Sequence, residues 1–209
     1  MFSVLLIPLL GSTATSQTLV HTDISSFNFA LDADATITVL DFDSLQSGDD
    51  ILDGNVLDGF EFDFDFSGVD LQVGGGSTTS SEPNYLGTTD ADMLQDGDDF
   101  DIVMEPSNAF GLFFISKDAL LDGDITLSFN GAAVQAVATD VQQTLEDGSL
   151  VYFLGVTNEA ETSTLASITT LGNGVGRGYH LHSSRENWFW LPCGSDGPFY
   201  SSHCGLGFS

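Results

Sequence analysis

Positive charge is nearly missing from this sequence. Three lysines and arginines stand against 31 aspartates and glutamates in 209 residues, a formal net charge of -28. A surface this acidic repels phosphate backbones and anionic lipid headgroups, which excludes nucleic acid and peripheral membrane attachment as partners. Cysteine and tryptophan are scarce as well, with two of each, and all four lie after residue 187. Residues 1–176 hold one histidine, His21, one basic side chain, Lys117, and no Gly-x-Ser-x-Gly. Neither a cysteine/histidine zinc site nor a serine-histidine hydrolase can be assembled from that stock. No apolar run approaches the ~20 residues of a membrane-spanning helix, and no 3.6-residue periodicity is sustained, so a helical fold is excluded too.

What is present is phenylalanine. Seventeen Phe residues, 42% hydrophobic content and a mean hydropathy of +0.12 describe a folded core beneath an acidic surface. The length suits one domain. Short apolar runs recur between turn clusters, predicting strands at Thr36–Phe42, Phe60–Phe66, Val69–Val73, Phe100–Met104, Phe110–Ile115, Ile125–Phe129, Ala133–Thr139, Leu150–Thr157 and Leu165–Thr170. The intervening Asp-Gly, Asn-Gly and Gly-Gly pairs supply positive φ or side-chain-to-backbone hydrogen bonds. Asn130-Gly131 is the clearest two-residue hairpin. The expected fold is all-β, a single jelly-roll-like antiparallel β-sandwich. In Phe60-Glu61-Phe62-Asp63-Phe64-Asp65-Phe66 the alternation is complete, so a strand sends four rings to the core and three carboxylates to solvent.

The two ends read differently from the body. Residues 1–16, an apolar run followed by Ala14-Thr15-Ser16, are expected to be a signal peptide. Residues 17–35 form a lead-in and 36–172 the sandwich. Residues 173–209 carry both arginines, both cysteines and both tryptophans, and balance to zero charge. They read as an irregular tail, either closed by a Cys193–Cys204 disulfide or translated out of frame, and are expected to add little to the fold.

Two kinds of carboxylate site are candidates. Glu61-Phe62-Asp63-Phe64-Asp65 resembles the Glu-x-Asp-x-x-Glu strand of laminarinase-type glycoside hydrolases. That resemblance implies Glu61 and Asp65 as the catalytic pair of a jelly-roll hydrolase, and retaining chemistry requires carboxyls about 5–5.5 Å apart. The other is calcium. Asp90, Asp92, Asp96 and Asp98 are the densest set of hard oxygen donors, without the twelve-residue spacing of an EF-hand.

Four further segments carry a family resemblance: Leu40-Asp41-Phe42-Asp43-Ser44-Leu45, Asn84-Tyr85-Leu86-Gly87, Phe110-Gly111-Leu112-Phe113-Phe114 and Val151-Tyr152-Phe153-Leu154-Gly155-Val156. Over residues 36–172 the arrangement resembles the secreted β-sandwich domain of bacterial PEP-CTERM sorting-domain proteins. The Pro-Glu-Pro motif, hydrophobic helix and basic end that follow that domain are not in this sequence. The resemblance implies export to the cell surface or matrix. The expected function is therefore a secreted, acidic, non-enzymatic surface protein, carbohydrate-binding-like or associated with exopolysaccharide. The alternatives are the hydrolase and a purely structural matrix component.

Overall fold

The structure is a computed structural model that describes residues 17–31, 34–40, 42, 44–75, 84–90, 94–95, 97–171 and 179–182. The expected signal peptide lies outside the described residues. The described residues start with β1 (Thr18–His21) and one short helix, α1 (Ile24–Ala30), capped by the Asp23 carboxylate, which accepts the Ser26 N–H. Strands β2 (Asp50–Ile51), β3 (Val56–Leu57), β4 (Phe60–Phe64), β5 (Leu71–Gly75), β6 (Asn84–Thr88), β7 (Phe100–Ser107) and β8 (Ala109–Ser116) follow. Then come β9 (Ile125–Phe129), β10 (Ala132–Gln135), β11 (Gln143–Thr144), β12 (Leu150–Asn158), β13 (Ser163–Thr170) and β14 (Tyr179–His182).

These strands make two antiparallel sheets. One runs β1-β12-β8-β14-β6-β5-β2, with β11 added on β12; the other runs β10-β9-β13-β7-β4-β3. The inner faces pack together as a β-sandwich. Phe60, Phe62 and Phe64 all enter the core, joined there by Phe100, Ile102, Phe110, Leu112, Phe114, Phe129, Tyr152 and Leu154. Between them Glu61 is half-buried and Asp63 exposed. Phe66 lies past the end of β4, is half-buried, and packs on Phe64 with ring centroids 4.6 Å apart. The register follows from transfer energetics: a one-residue slip would put the rings in water and the carboxylates in the core.

Strands β8 and β12 do not alternate, because both of their faces are covered. Their outer face forms a second cluster of Ala109, Phe113, Ile115, Val151 and Phe153 beneath Phe27 of α1. Continuous apolar runs such as Phe110–Ile115 are what two-sided burial requires. Gly111 and Gly155 are directly paired across β8 and β12, and the gap they leave takes two rings. A methyl group on Gly155 would lie 2.6 Å from Phe27 Cδ2 and 2.8 Å from Phe153 Cε1.

Three sequence expectations need correcting. Thr36–Phe42 is not a strand: none of its described residues is in one, although Leu40 and Phe42 are fully buried. The segment is instead tied down by the buried Asn84 side chain, whose Nδ2 donates to the Phe42 carbonyl at 2.8 Å and the Leu45 carbonyl at 2.9 Å. Its apolar pattern reflected burial, with a side-chain amide in place of a ladder. Second, the sandwich takes strands from beyond 36–172, since β1 pairs with β12 and β14 pairs with both β8 and β6. Third, the tail is not irregular throughout, because Tyr179–His182 lies inside the larger sheet. Cys193 and Cys204 lie outside the described residues. The Asn130-Gly131 hairpin forms as expected, with φ of 50° and 74°, and Asp58-Gly59 makes a second of the same kind at 51° and 88°.

Two substitutions probe this packing. Phe64→Ala should cost about 3–5 kcal/mol, and Gly155→Ala about 1–3 kcal/mol by overpacking the slot beneath α1. Urea midpoints at constant m-value measure both. Wild-type midpoints would mean that these rings are not packed as described.

Candidate functional site

The outer face of the six-stranded sheet gathers the polar side chains that face solvent between core positions. Cross-strand register sets them in a row across five strands: Ala133 opposite Ser128, Ser128 opposite Ser167, Ser167 opposite Asp101, and Asp101 opposite Asp63. A parallel row of Leu165, Val103, Glu61 and Val56 runs beside it and is mostly apolar. Two shallow grooves lie over this face. One, of about 480 Å³, is lined by Ser128, Asn130, Ala133, Ser163, Leu165 and Ser167. The other, of about 260 Å³, is lined by Asp63, Asp65, Asp99, Asp101, Ser167 and Thr169. They meet at Ser167, so hydroxyls at one end pass into carboxylates at the other.

Asp63 directly opposes Asp101. Like charges in that position destabilise a sheet by a few tenths of a kcal/mol to about 1 kcal/mol. Lys117 is the single lysine or arginine among the described residues, and it follows β8 in the other sheet. Among the described residues, therefore, no lysine or arginine sits in the row to offset this repulsion.

Glu61 lies within β4, half-buried, whereas Asp65 lies just past its end, exposed. Four residues of extended chain separate them by about 13 Å. The structure does not bring that pair together. The adjacent pair is Asp63 and Asp101, which sequence reasoning missed because 38 positions separate the two residues and no local pattern links them.

The calcium candidates divide. Asp92 and Asp96 lie outside the described residues. The Asp90 carboxylate accepts a hydrogen bond from Thr88 Oγ1 at 2.9 Å, and Asp98 closes a turn. Among the described residues no three metal-binding side chains come together. The acidic turns have a structural use. In four of them, Gln46–Asp49, Leu52–Asn55, Gln95–Asp98 and Leu121–Asp124, the last residue donates its N–H to the first residue's carbonyl. Its side-chain oxygen accepts the first residue's N–H in return, at 2.6–2.9 Å. The third residue is a glycine with φ between 76° and 95°, as a type II turn requires.

His21 is buried between two hydroxyls. Nδ1 lies 3.2 Å from Ser26 Oγ and Nε2 lies 3.0 Å from Thr157 Oγ1. Ser26 Oγ donates to the Asp23 carbonyl at 2.8 Å, so the network assigns the proton to Nδ1, with Nε2 accepting from Thr157. Oriented this way, His21 cannot take a proton from Ser26, and the pair is a clamp between α1 and β12 in place of a nucleophile and its base. Burial lowers the His21 pKa from the usual 6.5, against a smaller upward pull from Asp23.

No protein-family model, curated protein or solved structure matches the chain. No described helix is long and apolar enough to cross a membrane. The fold and its outer face thus define, among the described residues, an antiparallel β-sandwich with two adjoining grooves, one lined by hydroxyls and one by carboxylates.

Two expectations follow. With its folded-state pKa lowered, His21 binds fewer protons in the native than in the unfolded chain. Its contribution to stability is therefore complete above about pH 6.5 and falls as pH drops toward the native-state value. His21→Gln should reduce the difference between urea midpoints at about pH 7 and about pH 5; an unchanged difference would sink this assignment. At the Leu121–Asp124 turn, Asp124→Asn keeps an acceptor and should cost little. Asp124→Ala orphans the Leu121 N–H and should cost about 1–3 kcal/mol by the same assay.

Proposed function

We propose that this chain is a secreted, acidic, jelly-roll-like β-sandwich protein of the cell surface or extracellular matrix, and that it binds glycan without cleaving it. The observation that carries this reading is the continuous row of hydroxyls and carboxylates from Ser128 through Ser167 and Asp101 to Asp63, lying in an open groove. Serine hydroxyls and carboxylate oxygens accept hydrogen bonds from sugar hydroxyls. The neighbouring Leu165, Val103 and Val56 offer apolar contact to the C–H face of a pyranose. Among the described residues the face holds no lysine or arginine, so it favours neutral or amine-bearing polymers and repels uronates and sulfated chains. Export is supported by the signal-peptide reading of residues 1–16 and by the likeness to PEP-CTERM sandwich domains. The face is broad, and a repeating polymer suits it better than a small metabolite, which calls for an enclosed pocket.

A second reading rests on the Asp63–Asp101 register. Directly opposed residues have Cβ atoms about 4.5–5.5 Å apart, nearer the separation a retaining glycoside hydrolase needs than the span from Glu61 to Asp65, so an enzymatic role would use this pair. The third reading is a structural matrix component with no small ligand. Calcium enters the first as a bridge between the carboxylates and sugar oxygens.

A glycan array probed with the full chain, in EDTA and in millimolar calcium, separates these readings. Binding to neutral or amino glycans is expected. Ser167→Trp, which fills the junction of the two grooves, should weaken it at least tenfold, about 1.4 kcal/mol, with an unchanged melting temperature. Release of reducing sugar, lost in Asp101→Asn, would move the assignment to the hydrolase. Absence of binding to every glycan in both conditions would leave the matrix role.

A further inference from the structure

The outer face of the six-stranded sheet is divided by charge. Residues 125–139, which contain β9 and β10, hold no Asp, Glu, Lys or Arg, and neither does β13, Ser163–Thr170. In a chain of net charge -28, three adjacent strands thus carry no charge at all. The larger groove lies over them, and its lining among the described residues is uncharged throughout. The change comes at the next two strands. β7 brings Asp101, preceded by Asp99, and β4 brings Asp63, followed by Asp65; all four line the smaller groove. The boundary falls between Ser167 of β13 and Asp101 of β7, which are directly opposed.

Register also gives the grooves a direction. Ala133, Ser128, Ser167, Asp101 and Asp63 stand opposite one another in turn, so the row they form crosses five strands. Neighbouring strands lie about 4.8 Å apart, which makes the row roughly 19 Å long. A pyranose ring in an extended polymer advances by nearly one such step, so about four rings cover the distance from β10 to β4. Leu165 and Val103, opposed to each other beside the row, give such rings an apolar strip for their C–H faces. Ser128 and Ser167 hydroxyls both donate and accept, which suits ring hydroxyls and acetamido groups alike.

The acid end asks for something different. Asp63 and Asp101 are directly opposed, with no lysine or arginine in the row among the described residues. Opposed residues have Cβ atoms about 4.5–5.5 Å apart, a gap that one ammonium group bridges. Its three N–H donors and its charge satisfy both carboxylates and remove their repulsion. A lysine-rich peptide supplies the same charge but has no ring hydroxyls for the serine end. We propose that the two grooves take a linear polymer of amino sugars lying across the strands, with free amines at the Asp63–Asp101 end and uncharged rings over Ser167 and Ser128. This rests on the glycan reading and adds to it the class of polymer, its direction and the place of its amines. Charge complementarity then selects the ligand, where hydroxyls alone would accept most sugars.

The test titrates the full chain with β-1,4-linked glucosamine oligomers of two, four and six units, in free-amine and fully acetylated forms. For the free-amine series the affinity should rise by roughly tenfold or more from two to four units and little from four to six. The double variant Asp63→Asn/Asp101→Asn should lose roughly tenfold or more for the four-unit free-amine oligomer and bind the acetylated one as before. Its melting temperature should hold or rise, because a like-charge pair has been removed. Ser128→Trp, at the uncharged end, should weaken the four-unit oligomers and spare the two-unit free-amine one. A control double variant, Asp118→Asn/Glu146→Gln, makes the same change of charge at exposed positions that follow β8 and β11 of the other sheet. An equal loss in that control would mean that the acidic surface as a whole attracts amines, and overturns the proposal. So does an affinity that ignores length, equal binding of free-amine and acetylated forms, or oligolysine binding as tightly as the four-unit amine. Glycan binding on the array alongside any of these results leaves the glycan reading standing without its amino-sugar assignment, whereas a silent array overturns both.

Discussion

A chain with a net charge of -28 stays compact only if its carboxylates remain in water while its rings leave it, and strand alternation is what separates the two. Everything else in the structure depends on that separation. In β4 it is complete: Phe60, Phe62 and Phe64 are buried, and the carboxylates between them stay at the surface. Among the described residues, Asp124 is the single buried carboxylate, and it closes a turn by accepting the Leu121 N–H. Burial of apolar area at about 25 cal/mol per Å² opposes a surface repulsion that weakens further with salt.

The acidic residues between strands carry a second duty that reduces the cost of having so many. In the turns closed by Asp49, Asn55, Asp98 and Asp124, a side-chain oxygen satisfies a backbone N–H that the bend has taken out of any ladder. Asparagine serves in one of the four, so an acceptor is what the geometry asks for, and charge is incidental to it. That separates these turn aspartates from Asp63 and Asp101. The latter pair lies opposed on a regular pair of strands with no turn to close. A polar ligand on that face would meet both carboxylates, and this is why the groove, and not the acidic turns, supports the binding proposal.

The larger sheet follows a different logic. Its central strands are covered twice, inside by the opposite sheet and outside by α1 and its Phe27 ring, seated over Gly111 and Gly155. Helix α1 is thus an outer layer of the fold, held by His21 to Thr157 and by Phe27 to Phe153 at a centroid distance of 5.2 Å. The same sheet also admits β14, so both ends of the described chain are spent on it.

The amino-acid sequence alone determined the all-β class, the buried face of the expected Phe60–Phe66 strand as far as Phe64, where the strand ends and Phe66 is left half-buried, and the Asn130-Gly131 hairpin. Each of these is a matter of neighbours one to three positions apart, where the period of the backbone and the φ of glycine and asparagine leave little choice. It also read Thr36–Phe42 as a strand, because alternating burial looks the same whether a backbone ladder or the Asn84 side chain holds the segment. Only the tertiary structure decided which strands adjoin. The opposition of Asp63 to Asp101, the Ser128–Ser167–Asp101 row, the Gly111–Gly155 seat for Phe27 and the place of β14 are all contacts between residues distant in sequence. The physical reason is that a strand's own pattern specifies which of its faces is buried, whereas the choice of partner strand rests on packing summed over the whole core.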